Sequence, residues 1–508
     1  MDTPSPFDSP VQVVWFKRDL RVTDHAALNA AAAAGQVLPL YIHEPSLIAA
    51  SDCSAQHSHF LAECLSSLRK QLGFLGADLV ERVGEAVSVL EQLWNQTRFA
   101  AVWAHQETTA AQAFARDKAV ATWCRQRGVQ FHELPQNALL RGMALRQPGL
   151  DWNKHFRDQV FADVLAVPKA IHAYGELSSM DGVAPLGQGI DKPGRLRGGR
   201  SEAERLLHEF FPGKLLGYRE AISNPVTARS GCSRLSPYLA LGVISVREVT
   251  AELNRQHEEA VSRGDARHIE RVEDALQFYG ERLYWRSAYL QQFEADPSLE
   301  FTSQHPGTRG LREEEFNEEW FERWISAQTG YPFIDAGLRM LAHTGWINMR
   351  LRGTLISFAA NELWLHWREP ALFLAREFLD YEPGIHFSQM QIHAGTSLAT
   401  HPLMYNPVKQ AQDHDPWGKF VRQWVPELKN VPNEFIFEPW KMSRAVQIGC
   451  NVQIGKHYPA PIVPYEAAGN AARLMVEAAR ERRAPPALVY TRQRLANLQT
   501  RRQGSLFG

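Results

Sequence analysis

The sequence predicts an α/β chain with a second, all-helical part: an N-terminal doubly wound parallel sheet followed by a larger helical domain. Three observations carry that reading. Short β-branched and aromatic runs alternate with amphipathic stretches over the first 145 residues, the pattern of βαβ crossovers. A Gly- and Pro-rich segment, GVAPLGQGIDKPGRLRGGR at 182–200, then breaks the periodicity. Beyond it the apolar spacing is almost wholly helical.

Taken in order, the runs at 13–16, 37–42, 78–83, 101–103 and 129–134 read as strands, with helices at 24–34, 58–72 and 109–126 between them. Such a sheet offers a ligand crevice at the carboxyl ends of its strands, where the strand order reverses. The turn after the first strand is Lys17-Arg18-Asp19-Leu20-Arg21 and has no GxGxxG, which disfavours a dinucleotide bound at this turn. Its three basic residues either serve an anionic ligand or form a solvated turn. A helix is expected to start at Ser201, with Glu204 completing a capping box. Further helical patterns cover 237–241, 266–293, 333–342, 349–367 and 370–379. The expected domains are 1–145 (α/β), 146–200 (connector), 201–465 (helical) and 466–508 (an amphipathic helix and a basic tail). Residues 471–508 carry eight arginines against two glutamates, a composition that solubilises or touches phosphates.

Composition narrows the function classes. The 508 residues hold 55 basic and 56 acidic side chains, a net charge of −1, so overall charge gives no sign of nucleic acid. Hydrophobic residues at 44% and charged residues at 22% are ordinary globular values and exclude a disordered or fibrous chain. The five cysteines are scattered and include no CxxC, so neither a disulfide framework nor a cysteine metal site is expected, and no metal is assigned. No uncharged run is long enough to span a bilayer and no signal peptide opens the chain, so a cytoplasmic monomer without membrane contact is expected. The signatures GxxxxGK[ST], HExxH and GxSxG are absent, which disfavours the corresponding nucleotidases, zincins and serine hydrolases.

Three constellations in the helical part bear on chemistry. Gly231-Cys232-Ser233-Arg234-Leu235-Ser236 is small and polar just before a helix, where backbone N–H groups can meet a phosphate or simply cap the helix. Arg350 and Arg352 lie in an aromatic-rich helix after Trp346. Buried guanidinium needs a carboxylate, for which Asp380 and Glu382 are the candidates. Residues 380–396, rich in Gly, His, Ser and Gln, show no clear period and read as irregular chain assembling a ligand site. Together these imply a polar, arginine-bearing cavity for an aromatic ligand that contains phosphate.

The residues that carry this pattern also resemble the photolyase/cryptochrome flavoproteins. The matching blocks are VVWFKRDLRVTDHAAL at 13–28, SRLSPYLALGVIS at 233–245, TGYPFIDAGLRML at 329–341, TGWINMRLR at 344–352 and YNPVKQAQDHDPWGKFVRQWVPEL at 405–428. The resemblance implies an antenna-type α/β domain joined to a helical domain that holds FAD. It further implies light-driven repair of UV-damaged DNA, with a blue-light photoreceptor without repair as the alternative. It places Tyr218, Ser233, Leu235 and Ser236 at the FAD phosphates, with Cys232 where a threonine is common. Trp346, Arg350 and Glu382 fall in the cofactor cavity, and Arg352 with Asp380 forms the ion pair beside the flavin ring. His386 falls opposite flavin N5, where a histidine is expected to titrate near neutral pH.

By the same resemblance Trp367 matches the middle member of a three-tryptophan electron chain. The flavin-proximal member is Met390 and no tryptophan stands near the outer position, so photoreduction is expected to be slow or rerouted through Trp364 or a tyrosine. Trp285 and Arg286 match a pair that stacks on a flipped base. Arg282, Met349 and Ile392 replace the glutamate, asparagine and second aromatic wall of the lesion pocket, and Arg422 joins Arg282 and Arg286 at a DNA-facing mouth. The resemblance leaves open a second, antenna pigment, folate or deazaflavin, in the α/β domain, where 105–107 are either its contacts or an ordinary polar loop.

Overall fold

The computed structural model describes residues 9–145, 148–177, 185–314, 316–399 and 402–482. Five parallel strands, β1 (Val11–Phe16), β2 (Gln36–His43), β3 (Val80–Val83), β4 (Ala101–His105) and β5 (Gln130–Leu134), form one sheet in the order β3-β2-β1-β4-β5. The order reverses between β1 and β4, so the crevice belongs beyond the ends of those two strands.

Alternation along β1 explains how the two halves of the chain join. Val13 and Trp15 point to one face and pack with Leu90 and Leu93 of helix Ala86–Thr97 and Val120 of helix Ala111–Arg127. Val14 and Phe16 point to the other face, into a core shared with Phe60 of helix Ala55–Phe74 and Tyr238 of the helical part. One hydrophobic core therefore runs through both halves.

The basic turn after β1 is largely engaged by the protein itself, although Lys17 and Arg18 also line a cavity between the sheet and the helical part. Lys17 is buried against Asp117 at 2.9 Å. Arg18 donates from Nε to the Ala240 carbonyl and from Nη2 to that of Tyr381, both at 2.9 Å. Arg21 donates to Gly242 at 3.0 Å. This turn clamps the α/β layer onto the helical part. Gly242, with φ +62°, lets the chains approach: a Cβ there would lie 2.3 Å from the Arg18 carbonyl oxygen.

Helix Ala266–Ala295, capped by Asp265, packs along helix Pro383–His393, which also meets helices Met349–Ser357 and Arg368–Glu377. Three sequence expectations change here. Residues 383–393 are helical although they show no apolar stripe, because the helix is buried on most sides and leaves no polar face. The stretch 349–367 is not one helix: it ends at Ser357, continues as a single wide π turn over Phe358–Glu362, and Trp364 then adopts φ +52°. The helix expected at Ser201 begins at Arg200, with Gly199 at φ +108° before it, and Glu204 accepts from Arg200 Nε at 2.7 Å instead of closing a capping box.

The Gly/Pro segment is irregular, but where described it is tied down. Arg195 pairs with Glu63 at 2.9 Å and with Asp191, and Lys192 pairs with Glu377. Residues 182–184 of this segment lie outside the described residues, as does most of the arginine-rich tail, from 483 onward. Helix Tyr465–Arg482 precedes that tail, and no helix among the described residues is long and apolar enough to cross a membrane.

Candidate functional site

The polar segment before helix Ser236–Ala240 holds a feature that sequence reasoning passed over. Arg234 adopts φ +56°, and its guanidinium lies 4.9 Å from the centre of the Trp346 indole. Its Nε and Nη2 are buried without a hydrogen-bond partner. A desolvated guanidinium lacking an acceptor is costly, and an anion of the ligand supplies what the protein does not. Burial lowers its pKa to about 10, still cationic at neutral pH. Around it, Ser233 Oγ accepts from Tyr279 at 3.1 Å, and Tyr218 packs edge-on to Phe210 and Tyr279. Leu235 is buried, and the Ser236 side chain faces the Asp380 carboxylate and helps hold its pKa down. Cys232 is buried with its thiol pushed up to about 12, so it remains an unreactive thiol.

The two arginines of helix Met349–Ser357 separate, since positions two apart on a helix face different ways. Arg352 pairs with Asp380 at 2.8 Å, as expected. Burial pushes the Asp380 carboxyl up, but the Arg352 charge and hydrogen bond outweigh it and leave the group below its ordinary value. Asp380 Oδ1 has no partner. Arg350 instead donates to the Tyr405 hydroxyl at 3.0 Å, and Glu382 takes Arg286 at 2.7 Å. The expectation that Asp380 and Glu382 serve Arg350 and Arg352 therefore holds for one pair only.

His386 sits in a cage of Phe378, Tyr381 and Phe387 rings and donates Nε2–H to the Ala371 carbonyl at 2.8 Å. Burial lowers its pKa to about 4, which corrects the expectation of titration near neutrality: the ring is neutral at physiological pH. Met390 and Trp367 are buried. The Trp367 ring is edge-on to Phe387 at 6.3 Å, and its Nε1 has no acceptor. Trp364 lies beneath the Arg312 guanidinium, 4.4 Å from the ring centre.

The residues expected at a DNA-facing mouth, Arg422 apart, lie on three helices that pack together. Trp285 is 47% exposed, with Tyr284 edge-on at 5.7 Å and Tyr289 one turn on at 5.8 Å. Met349 is exposed and Ile392 half-buried, while Arg282 lies half-exposed over Phe278. Arg286 does not join this mouth as a free cation, because it is buried in its Glu382 pair and donates to the Leu239 carbonyl. Arg422 spends its donors on its own neighbourhood, the Trp417, Lys429 and Val431 carbonyls and the Asn433 side chain.

A cavity of ≈ 460 Å³ lies where the sheet meets the helical part, beyond β1, β2 and β4. Glu107 lines it, with Glu44 and Arg116, which pair at 2.8 Å. Of the candidate contacts at 105–107, His105 turns away from the cavity lining and binds Asp19 at 2.8 Å. Asp19, His25 and His105 bring potential ligand atoms within 4.8 Å of one another. Donors already face the Asp19 carboxylate, although His25 Nε2, 3.0 Å from Asp19 Oδ2, is not aligned for a hydrogen bond. His25 Nδ1 accepts from the Leu28 amide, so Nε2 carries the proton toward Asp19, and Lys17 N donates to the other carboxylate oxygen. A cation there would have to displace these protons.

The unpartnered atoms of Arg234, which lies over the buried Trp346 indole, and of Asp380 fit a ligand with an anionic linker and a flat polar ring, as FAD has. Comparison with known proteins agrees. Residues 278–478 match the FAD binding domain of DNA photolyase and residues 12–160 match DNA photolyase. The chain is 28% identical over 485 residues to a cryptochrome DASH of Natronomonas pharaonis, covering 90% of this chain and 98% of that one. It is 29% identical over 473 residues to a deoxyribodipyrimidine photo-lyase of Streptomyces griseus, covering 89% and 96%. An archaeal photolyase structure from Sulfolobus tokodaii, with two FAD molecules and an implied novel light-harvesting cofactor, superposes with TM-score 0.71 at 26% identity, covering 93% of this chain and 100% of that one. With this sheet, these packed helices and these matches, the chain belongs to the photolyase/cryptochrome family of FAD-binding flavoproteins.

Proposed function

We propose that the chain is a blue-light-driven, FAD-dependent photolyase acting on UV-damaged DNA. The observation that supports this most is Trp285, a large indole left half in solvent beside Tyr284 and Tyr289. Exposed indole is costly in water and gains most by stacking on an unpaired base, at about 1–3 kcal/mol per base. In this reading Arg234, Ser233, Leu235, Ser236 and Tyr218 surround the FAD phosphates, and Trp346 borders the cavity. Arg352–Asp380 and His386 lie against the ring. Bound FAD supplies the light-excited electron transfer. The residues orient it, keep water out and, in His386, hold the proton on Nε2 against Ala371.

Arg282, in an exposed pair with Glu281 at 3.0 Å, is the cation of the three arginines that reaches solvent for DNA, with Trp285, Met349 and Ile392 shaping the lesion pocket. The cavity lined by Glu44, Glu107 and Arg116 would take a second pigment, in keeping with the light-harvesting cofactor implied for the Sulfolobus protein. The test is illumination of the FAD-loaded protein with reductant and oligonucleotides carrying cyclobutane dimers or (6-4) products, single- and double-stranded. Loss of either lesion supports the proposal, and none in any substrate overturns it.

The alternative, a cryptochrome-like photoreceptor, is favoured by one observation: Met349 and Ile392 offer a lesion no hydrogen bonds, and Arg286 is already committed to Glu382. A reversible flavin spectral change with no repair of any lesion would choose it.

A further inference from the structure

We infer that Tyr381, hydrogen-bonded to Asp52, is the proton-coupled electron donor that refills the flavin in place of the incomplete tryptophan chain. This rests on the reading above that His386 borders the flavin ring. Tyr381 directly follows Asp380, and its ring stands edge-on to His386 with centroids 5.1 Å apart. Its hydroxyl donates to Asp52 Oδ2 at 2.7 Å, and both residues line the cavity between sheet and helices. The residue thus spans from the His386 cage to the cleft.

Tyr458 also donates to a carboxylate, Asp335, but it packs away from the His386 cage, and the rings weighed below lack such a base. A phenol gives up an electron readily only if its proton leaves with it, so a donor tyrosine needs a base already in hydrogen-bond contact. Tyr405, which packs on His393 of the same helix, receives a hydrogen bond from Arg350 and faces no carboxylate there. Tyr289 bonds the neutral Gln389. Trp367 has its Nε1 buried without an acceptor, so an oxidised indole there keeps its proton and returns the electron. Trp364 lies under a guanidinium, whose positive charge opposes removal of an electron from the ring.

The step balances as follows. One electron leaves the Tyr381 ring for light-excited oxidised FAD, and the phenolic O–H bond breaks as its proton moves to Asp52 Oδ2. Tyr381 becomes a neutral phenoxyl radical and FAD is reduced by one electron. In protein that carries no second pigment, a small thiol reaching the cleft donates a hydrogen atom to the phenoxyl oxygen and is itself oxidised to a thiyl radical, while Asp52 releases its proton to water.

The experiment uses FAD-loaded protein under blue light with a small thiol, following flavin bleaching and electron paramagnetic resonance after a flash. Tyr381→Phe should slow lasting photoreduction about tenfold and erase a tyrosyl signal, and Asp52→Asn should slow it with the ring intact. Trp367→Phe should stay within about twofold of the parent. A parent rate in Tyr381→Phe, or a parent rate in Asp52→Asn, overturns the relay, as does a tryptophanyl signal that Trp367→Phe abolishes together with photoreduction. The site reading is checked apart, by the absorption bands of bound FAD in His386→Asn. Unchanged bands overturn the placement of His386, whereas shifted bands with a parent photoreduction rate in Tyr381→Phe overturn the relay alone.

Discussion

Replacing Arg352 with glutamine should strand a carboxylate inside the helical part. The side chains of Arg352 and Asp380 are 14% and 5% exposed and meet at 2.8 Å, so solvent screens the pair little. Removing one partner of a buried pair costs about 3–5 kcal/mol, because the remaining charge keeps its desolvation penalty. Arg352→Gln should therefore lose about that much in urea unfolding of the FAD-loaded protein at pH 7, and adding Asp380→Asn should recover most of it. The pH dependence should also change sign. In the parent, Asp380 lies below its ordinary value of 3.8, so the pair's contribution is present above that pH and is lost as pH falls through the lower folded value. Without Arg352, burial alone raises the carboxyl, so the variant should gain stability on acidification from pH 7 toward its unfolded value while the parent does not. A loss below about 1 kcal/mol, or no recovery in the double variant, would refute the reasoning.

Other outcomes follow from particular contacts. Gly242→Ala, forced into φ +62° with its Cβ 2.3 Å from the Arg18 carbonyl oxygen, should cost about 2–4 kcal/mol by loosening the clamp between the two halves, read as a fall in urea midpoint. Because His386 is held neutral with a pKa of about 4, the bound flavin spectrum should be flat from about pH 6 to pH 9; a transition in that range would contradict its burial. Trp285→Ala should weaken binding of a UV-damaged oligonucleotide by about 1–3 kcal/mol and leave FAD content unchanged, and equal binding would remove Trp285 from the DNA face.

The strands were legible because parallel strands covered on both faces read as short β-branched runs, such as Val13-Val14 and Val37-Leu38, whose bounds shift by only a residue or two in the structure. Helix Pro383–His393 was not, since Pro383-Gly384 opens it and His386, Ser388 and Gln391 are buried polar positions that erase the apolar stripe. At the site, the need to neutralise a buried guanidinium pointed to Asp380 or Glu382, and only the family resemblance singled out the Arg352–Asp380 pair. The destinations of Arg286, Arg350 and Arg422 could not, because a side chain's direction around its helix and its carbonyl acceptors depend on chains distant in sequence. Arg234 carried a signal in its polar, small-residue surroundings, but only the fold leaves its guanidinium without an acceptor. Tyr381 and Asp52 lie far apart in the chain, and nothing local links them.

The most direct test of the account is an FAD titration of flavin-free protein, comparing the parent with Arg234→Gln. The parent should bind one equivalent in the helical part. The variant should lose about 1.5–3 kcal/mol of affinity, roughly ten- to a hundredfold, as expected for a charge-assisted hydrogen bond to the ligand's anionic linker. Equal affinity in the two proteins would contradict the claim that this unpartnered guanidinium faces the FAD phosphates.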